Sequence, residues 1–183
     1  MKKYELTAEF IEKWGKKLFR IKALISFGSV EVGELGGYVE KEDNLAQDGN
    51  AWVYGNARVC GDAEVYGDAW VYGNAEVYGN ARVCGDAEVY GDAKVCGDAD
   101  YLLIGRIGSR FSFTTFFKNK DKGITVSCGC FLGTIAEFRA KVSDTHGNNK
   151  HAKIYNLAAD MAELQILGEE YFDKLNTNKS EPF

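Results

Sequence analysis

The sequence predicts a mainly β protein built around a short parallel β-solenoid. Residues 49–102 are nine consecutive copies of the unit Gly-(Asn/Asp)-Ala-x-Val-(Tyr/Cys). A unit this small cannot bury a core of its own, so it must stack on its neighbours. Alanine and valine lie two positions apart and therefore both point inward in an extended segment. Between segments, the Gly-Asn or Gly-Asp pair tolerates positive φ and lets the chain turn every six residues.

The repeat resembles that of the hexapeptide-repeat, left-handed parallel β-helix family, in which three units form one triangular coil. The resemblance implies about three regular coils, in which residues 18 apart stack at roughly 4.8 Å. Two outward faces then alternate in charge sign from coil to coil, as cross-strand pairing prefers. One carries Arg58, Glu76 and Lys94, and the other carries Glu64, Arg82 and Asp100.

The third outward face is aromatic. A contiguous aromatic strip on the side of a solenoid is typical of an interface. Three alternatives stay open: coverage by the chain's own terminal regions, contact with a second copy, or a ligand surface. The interface candidates are Trp52, Tyr54, Trp70, Tyr72 and Tyr90.

The chain divides into four predicted regions. They are an N-terminal β cap at 1–38, the β-helix at 39–104, a C-terminal α+β domain at 105–176 and a tail at 177–183. In the cap, Phe19–Leu24 alternates apolar and basic residues, and we expect it to pair with Glu9–Lys13 across a turn at Trp14-Gly15. Val39 and Leu45 fit irregular core positions of a first coil. The cap would cover the core and strand edge that a bare solenoid end exposes.

The region after the repeat is predicted to contain a hairpin and two helices. Arg110–Phe117 and Ile124–Phe131 are rich in aromatic and β-branched residues, and they flank a polar turn that ends in glycine. Thr134 and Glu137 form a capping box at the start of the first helix. The second helix spans about Lys150–Leu167.

The net charge of −5 is unevenly distributed. Residues 49–102 hold nine acidic and three basic side chains, whereas residues 103–183 hold nine acidic and eleven basic ones. An acidic solenoid argues against nonspecific nucleic-acid binding, which needs a broad basic surface. No apolar run is long enough to span a bilayer, and three of the five cysteines replace tyrosine in the repeat. We expect a soluble protein without membrane contact, in a reducing, cytoplasmic compartment.

The family resemblance raises the question of an enzyme. Many β-helix proteins are acyltransferases and others are zinc carbonic anhydrases, and both groups use histidines on or between their coils. The repeat contains no histidine and no long loop to shape an acceptor pocket. We therefore expect a binding scaffold without a cofactor, and acyl-CoA-dependent acyl transfer is the alternative.

Four residues are weak candidates for metal ligands: Cys128, Cys130, His146 and His151. A Cys-x-Cys pair on one strand directs both sulfur atoms to the same side, and zinc binds sulfur and imidazole. The spacing matches none of the usual zinc-finger patterns. Two packed free cysteines and two solvated histidines are the other interpretation.

The segment Gly105–Arg110 offers the best site for an anion. Small residues beside a hydroxyl and a guanidinium can expose backbone N–H groups to a phosphate or a nucleotide. The predicted anion-binding residues are Arg106, Ser109, Arg110, Lys118 and Lys120. A turn at a domain junction with solvated basic side chains is the alternative.

Beyond the repeat, short segments resemble a family of small bacteriophage and prophage proteins. They are Arg20–Leu24, Leu35–Glu40, Ile107–Arg110, Thr115–Phe117, Cys128–Phe131 and Thr145–Gly147. Most members of that family are uncharacterised, and some carry a transferase label that rests on the β-helix alone.

This second resemblance implies a phage-encoded binding protein in the cytoplasm of a bacterial host. It suggests an anti-defence factor that occludes a host defence protein or sequesters a nucleotide-like signal. We also expect a homo-oligomer, either a trimer or a dimer. A structural, virion-associated assembly protein is the second alternative.

Overall fold

The computed structural model describes residues 1–168 and confirms the predicted fold class. The chain forms two compact units, one from Met1 to Asp98 and one that begins at Ala99. The first is a β-solenoid with a β cap, and the second combines an antiparallel sheet with two helices. The predicted tail at 177–183 and the last residues of the predicted C-terminal domain lie outside the described residues.

Three antiparallel strands form the N-terminal cap. They are β1 (Tyr4–Lys13), β2 (Lys16–Ala23) and β3 (Leu35–Val39). The predicted strand pair is confirmed, with Phe10 opposite Phe19 and the turn at Trp14-Gly15. β2 also pairs with β3. The cap is therefore a small three-stranded sheet, and the solenoid follows its last strand, β3.

Eight two-residue strands form the regular coils. They are β4 (Trp52–Val53), β5 (Arg58–Val59), β6 (Glu64–Val65), β7 (Trp70–Val71), β8 (Glu76–Val77), β9 (Arg82–Val83), β10 (Glu88–Val89) and β11 (Lys94–Val95). The repeat alanines and valines from Ala51 to Val95 are at most 1% exposed, which confirms their predicted inward placement. Val39 and Leu45 pair with Val59 and Val65 and so belong to a first, irregular coil.

The strands stack in three parallel sheets. β4, β7 and β10 form one sheet, β5, β8 and β11 continue the sheet of the cap, and β6 pairs with β9. Trp52 lies beside Trp70 and Glu64 beside Arg82, which confirms the predicted register of 18 residues. Backbone N–H groups of one coil donate to carbonyls of the next, as from Trp52 to Ala69 over 3.0 Å.

The cap also supplies hydrogen-bond donors to the first full coil. Carbonyls of that coil have no preceding regular coil to bond, and buried carbonyls need a partner. The Lys3 ammonium donates to the Ala51 carbonyl at 2.9 Å, and the Asn44 side-chain amide donates to the Ala63 carbonyl at 2.8 Å. Burial lowers the pKa of Lys3 to about 8. The open end of the ladder is therefore closed by side chains of the cap and of the irregular first coil.

Glu76 is the centre of one charged face. It is 8% exposed, and its carboxylate accepts a hydrogen bond from Lys13. It also lies 3.5 Å from the Arg58 guanidinium and 3.7 Å from the Lys94 ammonium. The predicted alternation of charge sign is confirmed on this face, and a cation from the cap adds to it.

The other charged face begins with an ion pair between Arg82 and Glu64 at 3.4 Å, so the predicted alternation of charge sign is confirmed for these two positions. The third predicted position, Asp100, lies in a short 3-10 turn at Asp98–Asp100, after which the chain enters an antiparallel strand. Asp100 accepts a hydrogen bond from Lys118 at 2.9 Å.

The second unit is a four-stranded antiparallel sheet followed by two helices. Its elements are β12 (Tyr101–Ile107), β13 (Ser112–Lys118), β14 (Ile124–Cys128), β15 (Phe131–Thr134), α1 (Ile135–His146) and α2 (Lys150–Leu167). The predicted hairpin is β13 and β14, and the structure adds β12 and β15 on either side. The capping box of Thr134 and Glu137 is present.

The core of this unit lies between the sheet and the helices. Phe116 and Val126 of the sheet pack with Phe138 of α1 and with Tyr155 and Ala159 of α2. The buried apolar residues of α2 are Ala152, Tyr155, Ala158, Ala159, Ala162 and Ile166. Neither of the two helices in residues 1–168 is long and apolar enough to cross a membrane.

The close stacking of coils predicts a difference between two glycines of the repeat. Gly79 and Gly91 have φ of +67° and +68°, but a Cβ on Gly79 would lie 2.3 Å from the Cys96 carbonyl oxygen. A Cβ on Gly91 would meet no atom within 4 Å. Gly91→Ala should lower the free energy of unfolding by about 1 kcal/mol, the cost of left-handed backbone. Gly79→Ala should cost more, since the neighbouring backbone must also move.

Urea unfolding followed by tryptophan fluorescence would measure both variants. All three tryptophans, Trp14, Trp52 and Trp70, lie in the first unit, so the signal reports on the solenoid and its cap. Equal losses of stability in the two variants would contradict the close contact between coils at Gly79.

Candidate functional site

A cleft of about 230 Å³ opens within the second unit. Three segments line it: the connection from β12 to β13 at 109–112, the turn from β14 to β15 at 128–131, and α1 between Phe138 and His146. Tyr155 of α2 completes the lining. The cleft therefore joins parts of the chain that are far apart in sequence.

Gly108 allows the first of these segments to lie against α2. Its φ is +73°, and a Cβ there would lie 1.8 Å from the Tyr155 hydroxyl oxygen. The backbone of the next residue, Ser109, lies beside the Tyr155 hydroxyl. Burial raises the pKa of Tyr155, and the neighbouring Cys128 thiol raises it further. The phenol therefore stays protonated at neutral pH and presents a neutral wall to the cleft.

The charged side chains of the cleft are basic. Arg110 and Lys141 line it together with His146, and its described lining includes no aspartate or glutamate. Within residues 1–168, neither Arg110 nor Lys141 forms an ion pair with a carboxylate. Ser109, Ser112 and Thr145 also line the cleft and carry hydroxyl groups. Two unpaired cations beside hydroxyl donors form a site that favours an anion.

The rest of the lining is largely apolar. Phe131, Phe138 and Val142 contribute to the cleft, and the Phe131 and Phe138 rings are 5.6 Å apart. His146 stacks on Tyr155 with ring centroids 5.7 Å apart. The cleft therefore combines cationic and hydroxyl-bearing residues with aromatic rings.

The predicted anion-binding residues separate into two groups. Ser109 and Arg110 line the cleft. Arg106 is exposed on β12 outside the lining, Lys118 donates to Asp100, and Lys120 is exposed in the loop after β13. The structure therefore brings two of the five candidates together.

Three of the four weak metal candidates lie in or at this cleft. Cys128, Cys130 and His146 line it, and the His151 ring lies 5.8 Å from that of His146. Across residues 1–168, no three histidine, cysteine, aspartate or glutamate side chains are grouped closely enough to hold a metal ion. The Cys128 sulfur instead contacts the Thr114 hydroxyl at 3.2 Å.

The aromatic face of the solenoid is partly covered by the cap. Trp52 is fully buried, and the rings of Phe27 and Tyr4 pack edge-on against it at 5.4 and 6.2 Å. At this position the alternative of coverage by the chain's own terminal region is the one that the structure shows. Further along the strip, Trp70 is half-buried and Tyr54 is 46% exposed.

The last interface candidates, Tyr72 and Tyr90, stack on each other. Their ring centroids are 4.5 Å apart and the ring planes differ by 6°. Each ring is half-buried. The two tyrosines are 18 positions apart, so their side chains stack in the same register as the strands that carry them.

Sequence reasoning missed Lys141, Thr145 and Tyr155 as residues of the site. Lys141 and Thr145 are four positions apart on a helix and therefore project from one face. That face is the one that carries Phe138 and Val142 towards the core. The sequence shows only that Lys141 lies next to an inward-facing apolar stripe. An ordinary surface lysine gives the same pattern, so the sequence does not identify Lys141 as a site residue.

The two cysteines of the cleft should differ in reactivity. Cys130 is exposed and its sulfur lies 3.9 Å from an Arg110 nitrogen, whereas Cys128 is half-buried against Thr114. Iodoacetamide should therefore modify Cys130 first, because access and a nearby cation both favour thiolate attack. Tandem mass spectrometry of the peptide that contains both would separate them, with Cys130→Ser as the control. Faster modification of Cys128 would contradict this geometry.

No protein-family model matches the chain, and no curated protein matches it.

Proposed function

We propose that the protein is a non-enzymatic binding protein whose second unit holds a small anionic ligand in this cleft. One observation carries the proposal: Arg110 and Lys141 face the same cleft and neither is neutralised by a carboxylate of the described chain. Unpaired cations at a partly apolar site attract an anion more strongly than they would in water. Within this proposal, the rigid solenoid is the scaffold and the second unit does the binding.

The donor set favours a phosphate group. A guanidinium can donate two parallel hydrogen bonds to phosphate oxygens, and an ammonium adds a point charge. The hydroxyl groups of Ser109 and Thr145 add neutral donors. The cleft volume of about 230 Å³ lies below the usual range for small-molecule sites, roughly 300–1,000 Å³. A nucleoside monophosphate supplies one phosphate for these donors and a base for the ring faces, and it is small for a ligand of such sites.

The resemblance to phage proteins gives this binding a biological setting. A phage protein that captures a nucleotide-like signal in the host cytoplasm would act as an anti-defence factor by sequestration. The cationic cleft supports sequestration over occlusion of a host protein, since it is concave and small. The oligomer, trimer or dimer, would multiply the number of sites per particle.

Acyl transfer is the rival function, since acetyl-CoA also carries phosphates. A transferase would consume acetyl-CoA in the presence of an acceptor amine, whereas a binding protein would leave it intact. Release of free thiol from acetyl-CoA at a rate above the uncatalysed one would therefore contradict the proposal.

Calorimetry with AMP and adenosine would test the proposed site. The wild-type protein should bind AMP and should bind adenosine far more weakly, since the phosphate supplies the charge. Arg110→Ala should weaken AMP binding by about ten- to a hundredfold, the usual value of a charge-assisted hydrogen bond. Lys141→Ala should weaken it to a similar or smaller extent.

Arg106→Ala is the matched control, because Arg106 is an exposed arginine of the same unit outside the cleft. Its AMP affinity should stay within about twofold of wild type, since a distant exposed charge is screened. Equal binding of adenosine and AMP, or equal losses in the Arg106 and Arg110 variants, would refute an anion site at the cleft.

A further inference from the structure

Two cysteines lie at the tight turn between β14 and β15. Cys128 pairs with Phe131 across the hairpin, so Gly129 and Cys130 form the whole turn. Gly129 has a φ of +60°, a conformation that glycine adopts easily and other residues avoid. Both cysteines are free thiols, and both line the cleft of the second unit. The turn therefore brings two thiols of one chain to the same cleft.

The two cysteines are close enough for a disulfide to join them. Residues two positions apart have Cα atoms at most about 7 Å apart, and a tight turn shortens this to about 5–6 Å. A disulfide joins residues whose Cα atoms are roughly 4.4–6.8 Å apart. Rotation of the Cys128 and Cys130 side chains, with a local adjustment of the turn, is therefore enough to form the bond.

Cys130 is the thiol that an oxidant in solution reaches first. It is exposed, and its sulfur lies 3.9 Å from a nitrogen of the Arg110 guanidinium. A Cβ on Gly129 would lie 3.3 Å from that same nitrogen, so the glycine leaves room for the guanidinium beside the turn. A cation near an accessible sulfur favours attack by the thiolate. Cysteines of this kind are the ones that peroxides oxidise to sulfenic acid.

Cys128 has the surroundings of the second thiol, which would resolve that sulfenic acid. It is half-buried, and the fully buried Thr114 hydroxyl donates a hydrogen bond to its sulfur at 3.2 Å. The Tyr155 hydroxyl lies beside the same cysteine. Hydroxyl donors stabilise negative charge that develops on a sulfur atom. Cys128 is thus shielded from oxidants in solution, yet it lies one residue away from Cys130.

We propose that Cys130 and Cys128 form a reversible, peroxide-sensitive pair in the cleft. In the first step the Cys130 thiolate attacks hydrogen peroxide. An S–O bond forms, the O–O bond breaks, and the leaving hydroxide takes up the proton that Cys130 released. In the second step the Cys128 sulfur attacks the Cys130 sulfur, an S–S bond replaces the S–O bond, and the second hydroxide takes the Cys128 proton. One peroxide is reduced to two waters while two thiols are oxidised to one disulfide.

The reducing compartment that the sequence predicts suits a reversible bond of this kind. Disulfides in such a compartment are mostly transient and serve catalysis or redox sensing. A small thiol reverses the bond by thiol–disulfide exchange. Because both cysteines line the cleft, the oxidised and reduced forms present different surfaces to a ligand.

Mass spectrometry of the full chain after treatment with hydrogen peroxide tests the proposal. Trypsin cuts after Lys122 and Arg139, and the peptide 123–139 contains Cys128, Cys130 and no other cysteine. After peroxide and then N-ethylmaleimide, this peptide should be lighter than the reduced peptide by two hydrogen atoms and should carry no maleimide. Dithiothreitol should restore both thiols. Cys96 is also exposed, but its nearest cysteine in the sequence is twelve residues away, so it should form no such bond.

Four variants separate the two steps. Cys128→Ser should stop at the sulfenic acid, which dimedone traps on Cys130. In Cys130→Ser, Cys128 should be oxidised at least about tenfold more slowly than Cys130 is in the wild type, because it is less accessible. Arg110→Ala should slow the first step about two- to fivefold, since water screens an exposed charge. Arg106→Ala is the matched control and should leave the rate unchanged.

A peptide 123–139 that still carries two maleimides after peroxide treatment would overturn the proposal. So would a peptide that gains oxygen on Cys130 without losing two hydrogens, or one that is joined by a disulfide to a second chain. The mass is measured without any anionic ligand, so a failure of this reaction is distinguishable from a failure of anion binding.

Discussion

Hydrogen bonds from each coil to the next hold the solenoid together, and the first unit depends on that ladder. A repeat of six residues has too little apolar surface to fold alone, so the backbone bonds and the inward alanines and valines form only when coils stack. The ladder also requires hydrogen-bond donors at its first end. The carbonyls of the first full coil need donors, which are the Lys3 ammonium of the cap and the Asn44 amide of the irregular first coil. The cap is thus part of the ladder as well as a cover for the core.

The sequence contained almost all of the information about this unit, because the determinants are local and repeated. A period of 18 places Trp52 beside Trp70 and Arg58 beside Glu76, and the structure has both pairs. The period of 18 residues no longer predicts strand pairing at the end of the repeat, where the residues depart from the pattern. Residues 97–99 still fit the repeat, yet Tyr101 and Leu102 depart from it and lie in β12, where antiparallel pairing with β13 replaces stacking. A short apolar run does not by itself show whether a strand pairs antiparallel with its neighbour or stacks on a preceding coil.

The candidate site was less predictable for a physical reason. Ser109 and Arg110 follow a glycine-containing turn, and that local chemistry predicted an anion contact. Lys141 gave no such signal, because its role depends on the tertiary packing of α1 against the β14–β15 turn. The same holds for Gly108. A side chain is excluded at this position only because the Tyr155 hydroxyl lies opposite it. In this chain the scaffold follows from its repeats, whereas the cleft follows from contacts between segments remote in sequence.

Under the proposed function, the cleft of the second unit binds a phosphate-bearing ligand. A titration of isotope-labelled protein with AMP, monitored through backbone amide NMR signals, would test this binding. We predict saturable shifts at Ser109, Arg110, Gly129 and Thr145, with the signals of the repeat unchanged. Shifts confined to the solenoid, or no saturable shift at any concentration of AMP, would contradict the claim.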